Sequence, residues 1–276
     1  MSRQVLWLKA VALPEFLVYT KYMMVSDRTV FLGIDPGGGR EGMTYVALDA
    51  DKRLLAIGGG KIQDVLAFAA GQAEVLAAVN SFYKPAREAP PAEMQQRLFP
   101  EFGDDLFGRL RKEAAERMEA SAGISAAGVV EKDSRSARQR SNVLIQQLQE
   151  LGYRRFPVEE GDRQWLRFSA QASFMELCGG RLFESRTLEG RLQRQLILFE
   201  EKLPLKDPMD FFEEVTRRRL LLGRLPYEMI YAAGELNALV GAYTAWLAAF
   251  HPQRIREEDG SEGLWYLPLP PAKPED

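Results

Sequence analysis

Thr29-Val30-Phe31-Leu32-Gly33-Ile34-Asp35, followed by Pro36-Gly37-Gly38-Gly39, is the stretch that sets the architecture. Its run of β-branched, aromatic and aliphatic residues suits a buried strand that ends in a carboxylate. Proline cannot donate to a central ladder and glycine tolerates positive φ, so the reading places a turn directly after Asp35. Residues 43–49 (MTYVALD) and 53–58 (RLLAIG) supply two further strands, with Asp51-Lys52 between them as a hairpin turn. Ile62, Val65, Leu66, Ala69 and Ala70 fall at helical spacing. Residues 74–80 (EVLAAVN) then return as a buried strand that closes on Asn80. Three antiparallel strands, a crossover helix and a further strand define an α/β layered unit.

Outward from this unit the chain changes character. Residues 1–26 are read as an extension that precedes the core, and 27–269 as one domain. An insertion over about 84–135 is punctuated by Pro85, Pro90, Pro91 and Pro100 and is largely helical, with Leu106, Leu110, Ala114 and Met118 in register over 104–120. Helices are expected over 143–151, 187–201, 208–222 and 231–250. A strand is expected over 164–168, an edge strand over 263–267, and a frayed tail over 270–276. The small residues Gly234, Ala238, Gly241, Ala242 and Ala245 would let the 231–250 helix lie close against a sheet.

Composition narrows the chemistry. The chain has 276 residues, 46% of them apolar and 27% charged, a balance typical of a folded globular protein. One cysteine, Cys178, and one histidine, His251, exclude an internal disulfide, a cysteine-based zinc site and the usual histidine triads. Catalysis would have to run on carboxylates, hydroxyls or amines. The net charge of −3 argues neither for nucleic acid nor for a membrane surface. The apolar run 5–8 is interrupted by Lys9, and Pro14, Glu15 and Lys21 follow. No uninterrupted span approaches the roughly 20 residues of a membrane crossing, so a cytoplasmic protein with no membrane partner is expected.

Carboxylates at the carboxyl ends of neighbouring strands can gather hard cations, and two such ions roughly 3.5–4 Å apart drive phosphodiester hydrolysis. Asp35 and the polar end of the 74–80 strand are the residues so placed. Gly33-Ile34-Asp35-Pro36-Gly37, the hairpin after it and Val75 to Ser81 resemble an uncharacterised family of predicted nucleases with a ribonuclease H-like fold. So do Ala170-Gln171-Ala172-Ser173-Phe174, Thr187-Leu188-Glu189-Gly190-Arg191, and Glu235-Leu236-Asn237-Ala238-Leu239 with Ala242-Tyr243-Thr244-Ala245. The resemblance runs over about 29–268 and is weakest across 84–135. It implies a mixed sheet, antiparallel over the first three strands and then parallel, flanked by helices.

The resemblance also implies acidic residues at four places, of which this chain keeps Asp35. Asn80 and Asn237 stand where the family usually has aspartate, and Arg167 where it often has glutamate. An amide oxygen can ligate Mg²⁺ but adds no negative charge. Two amides and a guanidinium in place of three anions would remove most of the field that holds a metal pair. Asp35 would remain as the lone metal-ligating remnant, with no cofactor needed, or Mg²⁺ or Mn²⁺ if the chain is active. Glu235 is turned about 200° from Asn237 on a helix, and Asp49, Glu131 and Asp133 are weak substitutes. Apart from the resemblance, an aspartate before Pro-Gly caps its own turn, and Asn80 and Asn237 would then hydrogen-bond it across the sheet–helix contact.

Arginine is suited to phosphate contacts, and Arg181, Arg186, Arg191 and Arg194 are the candidate nucleic-acid-binding set. Arg135, Arg138 and Arg140 form a second group. Arg217-Arg218-Arg219 reads as a solvated helix face paired with Glu213 and Glu214. Cys178 reads as a buried structural thiol, His251 as a helix C-terminus, and Trp246 and Phe250 as core. Gly58-Gly59-Gly60-Lys61 lacks the spacing of a phosphate loop. The expectation is a ribonuclease H-like protein with a degenerate metal site and a nucleic-acid-binding or accessory role. The alternatives are an active Mg²⁺-dependent nuclease and a structural subunit that associates through the helical insertion.

Overall fold

The fold is seen in a computed structural model that describes residues 28–39, 42–81, 126–158, 161–260 and 263–271. The expected extension 1–26, the proline-punctuated part of the insertion with its 104–120 helix, and most of the tail lie outside the described residues.

β1 (Val30–Gly39), β2 (Gly42–Leu48) and β3 (Leu54–Gly60) form an antiparallel meander. α1 (Ile62–Ala70) then crosses to β4 (Val75–Asn80), which lies parallel to β1. α2 (Ala126–Glu150) leads through the two-residue β5 (Arg154–Arg155) to β6 (Arg163–Phe168), parallel to β4. Four helices follow β6: α3 (Ala170–Cys178), α4 (Leu188–Glu200), α5 (Asp210–Glu214) and α6 (Arg217–Leu221). Then come α7 (Ala233–Phe250) and the hairpin of β7 (Ile255–Gly260) and β8 (Gly263–Pro268). The sheet order is β3-β2-β1-β4-β6-β8-β7, with β5 also paired to β6. This is an α/β protein whose mixed sheet is antiparallel first and parallel after.

The central strands β1 and β4 are buried on both faces, which explains their near-continuous apolar runs. One face, with Phe31, Val46, Leu76, Ala78, Leu166 and Phe168, packs against α7 and α3. The other, with Leu32, Ile34, Ala47, Val75, Val79 and Trp165, packs against α1 and α2. Because side chains alternate along a strand, Asp35 and Asn80 belong to the α7 face, and Arg167 belongs to the α2 face with Trp165.

α7 lies on β1 almost without a gap. A Cβ at Gly33 would fall 1.9 Å from the Ala238 carbonyl oxygen and 2.4 Å from the Ala242 nitrogen. Gly241 on the helix meets the Phe168 ring in the same way, a Cβ there falling 2.4 Å from it. Glu235 accepts the Ala232 N–H at 2.7 Å, satisfying a donor that the helix start leaves without an intrahelical partner. Pro252 follows the last turn, where the His251 N–H reaches the Leu247 carbonyl at 2.8 Å. Phe250 at the far end of α7 stacks near Phe31, 5.6 Å between ring centres. α7 therefore runs antiparallel to β1 and brings its first turns over the carboxyl end of that strand.

Several local expectations are corrected. β1 does not leave the sheet at Pro36. It continues to Gly39, which pairs with Gly42, and the extra residues are absorbed in a register shift after Asp35. The expected 143–151 helix is the second half of α2. The 208–222 helix is two short helices, because Thr216 caps α6 by accepting the Arg219 N–H at 3.2 Å. The charged strand β7 is an element with no counterpart among the expected ones. Cys178 is exposed, not buried.

Candidate functional site: a carboxylate held by two amides

Asp35 sits where β1 is about to shift register, at the carboxyl end of the sheet, and is 2% exposed. Its Oδ1 accepts an amide N–H from Asn80 at 2.9 Å and the Gly37 main-chain N–H at 3.2 Å. Its Oδ2 accepts an amide N–H from Asn237 at 2.9 Å. The Asn80 contact spans the parallel β1–β4 pair, and the Asn237 contact spans the close sheet–helix approach that Gly33 permits. The Gly37 bond is the turn-capping contact of an aspartate before Pro-Gly.

The orientation of Asn80 is fixed from its other side. Its Oδ1 accepts the main-chain N–H of Ala170 at 2.9 Å, the first residue of α3. Ser169 caps the same helix by accepting the Ala172 N–H at 3.4 Å. With its carbonyl so engaged, Asn80 presents only its NH₂ group to Asp35. Turning the amide to offer oxygen to a cation would break both contacts.

The electrostatics follow from this geometry. Burial pushes the Asp35 carboxyl above its ordinary value. The Asn237, Asn80 and Gly37 donors and the positive charge of Arg140 on α2 oppose that rise. The arrangement therefore stabilises one buried carboxylate by neutral donors. Among the described residues no group of three His, Cys, Asp or Glu side chains is placed to hold a metal ion. Glu235, the nearest acid in sequence to Asn237, is occupied at the start of α7. Asp49 accepts the Arg53 N–H in the β2–β3 turn at 2.7 Å. The side chains of Glu131 and Asp133 lie outside the described residues.

Asp35, Asn80 and Asn237 are thus brought together, and Arg167 is not. Arg167 is 8% exposed on the opposite face of the sheet, where its Nη2 donates to Asn142 Oδ1 of α2 at 3.0 Å and its guanidinium lies 5.9 Å from the Trp165 ring centre. The alternation Gln164-Trp165-Leu166-Arg167-Phe168 carried this signal, since Arg167 shares parity with Trp165 and not with Phe168. Neither Asn142 nor the Ala170 N–H was singled out from sequence. The Ser169 cap, one residue beyond β6, is the cue that points to the second.

The arginines also separate. Arg181 and Arg186 are exposed. Arg191 lies against Tyr227, 5.5 Å from its ring centre. Arg194 is 1% exposed and holds the 181–187 loop: Nη1 donates to the Phe183 and Gly190 carbonyls at 2.9 and 3.0 Å, and Nη2 to Gln171 Oε1 at 3.0 Å. Arg194 therefore serves the interior. On α2, Arg138 lines an open groove of about 360 Å³ with Gln139, Asn142, Val143 and Gln146. His251 lies 5.0 Å from the Trp246 ring centre, and its imidazole is held below its ordinary value by burial and by Arg254 and Lys52.

No protein-family model, curated protein or solved structure matches the chain. Among the described residues no helix is long and apolar enough to cross a membrane.

Proposed function

We propose that this chain is a ribonuclease H-like protein in which hydrogen bonding has replaced metal binding at the carboxyl end of the sheet, leaving a nucleic-acid-binding or accessory role in place of hydrolysis. The strand order supports the fold assignment: an antiparallel meander, a parallel β4 and β6, and a carboxylate at the end of the first strand beneath a long helix. The observation that carries the functional reading is that both Asp35 oxygens accept N–H groups, with Asn80 locked from behind by Ala170.

A divalent ion at this place would have one anion for charge compensation and would have to displace donors already in place. Mg²⁺ binds through carboxylates and water, and its affinity depends on ligand charge. A single shielded carboxylate is a poor host.

Titration calorimetry with Mn²⁺ and Mg²⁺ tests this. No saturable heat is expected from either ion. Micromolar Mn²⁺ binding that disappears in Asp35→Ala, or Mg²⁺-dependent cleavage of an oligonucleotide lost in the same variant, would overturn the reading in favour of an active nuclease. Binding of single- or double-stranded oligonucleotides that weakens steeply with salt supports the nucleic-acid role. Retention unaffected by salt, or none at all, moves the assignment to a protein partner.

A further inference from the structure

Arg191, near the start of α4, is held in place without being satisfied. Its guanidinium lies 5.5 Å from the Tyr227 ring centre, where the negative face of the ring attracts it. Its side chain makes no hydrogen bond or ion pair with any described residue, and its Nε is buried without an acceptor. The other described arginines that are partly or wholly buried differ in this respect. Arg163, Arg167, Arg194, Arg219, Arg254 and Arg256 each donate to an oxygen of the chain. A buried donor without an acceptor is costly and rare. A guanidinium stacked on a ring keeps its in-plane N–H fork open at the rim, in a geometry that fits a phosphate or a carboxylate. Arg191 is therefore set to receive an anion from outside the chain.

The surroundings say which anion. The 181–187 loop is pressed against the start of α4. Arg194 Nη1 donates to both the Phe183 and Gly190 carbonyls, at 2.9 and 3.0 Å. Gln193 accepts the Phe183 N–H at 2.8 Å and donates to the Arg181 carbonyl at 2.9 Å. At Gly190, the residue before Arg191, the Glu184 carbonyl leaves no room for a side chain. Two aromatic rings thus flank this part of α4 and reach solvent: Phe183 is 60% exposed and Tyr227 is 50%. Arg181 and Arg186 are exposed on the same loop, with no ion-pair partner among the described residues. Glu184 and Glu189 leave the stretch 181–191, with its three arginines, in positive excess. Glu228, beside Tyr227, is taken up by Arg219 at 3.2 Å. Exposed rings next to arginines are what a single strand uses, its bases stacking on the rings and its phosphates meeting the cations. A carboxylate partner would use the fork and leave the rings idle.

We propose that Arg191, stacked on Tyr227, takes a phosphodiester of a single-stranded nucleic acid, with Phe183 offering its ring to a nearby base. This places the contact surface of the nucleic-acid role proposed above, and rests on that reading.

Fluorescence anisotropy with a fluorescein-labelled oligothymidylate of about 15 nucleotides, within the span of single-strand sites, tests it on the full chain. The single strand should bind more tightly than a duplex of the same length. Arg191→Met should weaken binding about tenfold, as for a lost charged hydrogen bond, and make the salt dependence shallower by about 0.7, the share of one phosphate. Phe183→Ala should weaken it about fivefold or more, the worth of one stacked base. Arg191→Lys, which keeps the charge, should recover most of the salt dependence and part of the affinity. Since Arg191 has no acceptor to lose, Arg191→Met should keep the wild-type urea midpoint. Wild-type affinity in Arg191→Met overturns this inference and leaves the nucleic-acid role to another surface. No oligonucleotide binding by the wild type at any salt concentration overturns both. A lowered urea midpoint with no rescue of binding by Arg191→Lys assigns Arg191 to the scaffold and overturns the inference. Polyglutamate bound through Arg191 in place of the oligonucleotide does so too, and reassigns the fork to an acidic peptide.

Discussion

Asn237 and Asp35, 202 positions apart in the chain, meet at 2.9 Å across the contact between α7 and β1. The bond joins the helix to the sheet end, and the carboxylate it serves would otherwise keep only the Asn80 and Gly37 donors. A buried group that loses a donor bears a desolvation cost of about 1–3 kcal/mol. Asn237→Ala is therefore expected to lower stability by that amount in urea unfolding.

The same variant has a pH signature. Burial raises the Asp35 carboxyl above its ordinary value, so between those two values the folded chain binds more proton than the unfolded chain. Stability due to this group falls as pH rises through the window and stays lower above it. Removing a donor to the carboxylate raises the folded value further. The loss caused by Asn237→Ala should thus grow as pH rises from below the ordinary carboxylate value, and a loss independent of pH would mean that the Asn237 bond does not influence the Asp35 titration.

Adding carboxylates beside Asp35 should create a metal site. In Asn80→Asp/Asn237→Asp, two carboxylates would face Asp35 in place of the two amides that now donate to it at 2.9 Å. Like charges so close cannot all ionise without a counter-ion. The double variant should melt below wild type in chelator and regain stability as Mn²⁺ is added, by the linkage of ligand binding to folding. Wild type should move little. Equal stabilisation of both proteins by Mn²⁺ would show that the two amides do not keep a metal ion away from Asp35.

Gly33 is where the sheet–helix contact and the site depend on one another. A methyl group there would meet helix backbone at 1.9 and 2.4 Å, and backbone yields less readily than a flexible side chain. Overpacking of a well-filled core costs about 1–3 kcal/mol, and Gly33→Ala should reach the upper end. Displacing α7 also draws Asn237 away from Asp35, so Asn237→Ala should cost less in the Gly33→Ala background than alone. Additive losses in a double-mutant cycle would separate the two contacts.

The buried meander and β4 were legible because both faces of the sheet are covered and the apolar runs are continuous. So was the small-residue face of α7, since glycine and alanine at Gly234, Ala238, Gly241 and Ala242 have few uses other than close approach. The first half of α2, with the polar run Glu131-Lys132-Asp133-Ser134-Arg135-Ser136, has too little apolar periodicity to announce a helix. The strand β7, Ile-Arg-Glu-Glu-Asp-Gly, lies at the sheet edge, where charge guards against further pairing, and so lacks the apolar pattern that announces a strand. At the site, Asp35 stood out by its position at a strand end. The separation of Arg167 onto the other face required the strand parity to be followed one residue further, and the resemblance alone drew it into the same cluster.

Tyr153 gives an alkaline test of the α1 face. Its hydroxyl donates to the Ala69 carbonyl at 3.0 Å, and burial pushes the phenol up to about 12. The unfolded chain therefore loses this proton first, and stability falls as pH rises from the ordinary tyrosine value, about 10, toward 12. Tyr153→Phe should cost about 1 kcal/mol at pH 7 through the lost hydrogen bond. It should also flatten the decline of stability between pH 9.5 and 11, roughly the onset of tyrosine ionisation. An unchanged slope would assign the alkaline decline to other groups. Tyr243, raised by burial and by Glu201, is the first of these.

Arg194 decides whether the 181–187 loop is part of the scaffold or of a binding surface. Its guanidinium spans three acceptors, the Phe183 and Gly190 carbonyls and Gln171 Oε1, with the Phe174 ring 5.5 Å away. A lysine ammonium carries the same charge but cannot reproduce the planar fork. Arg194→Lys should therefore destabilise the chain by about 1.5–3 kcal/mol, the range for hydrogen bonds of a charged group. Hydrogen exchange over 181–187 should accelerate, while any affinity for oligonucleotides stays unchanged. A variant that kept wild-type stability and lost oligonucleotide binding would place Arg194 on the working surface with Arg181 and Arg186, and the buried fork would then have to open in solution.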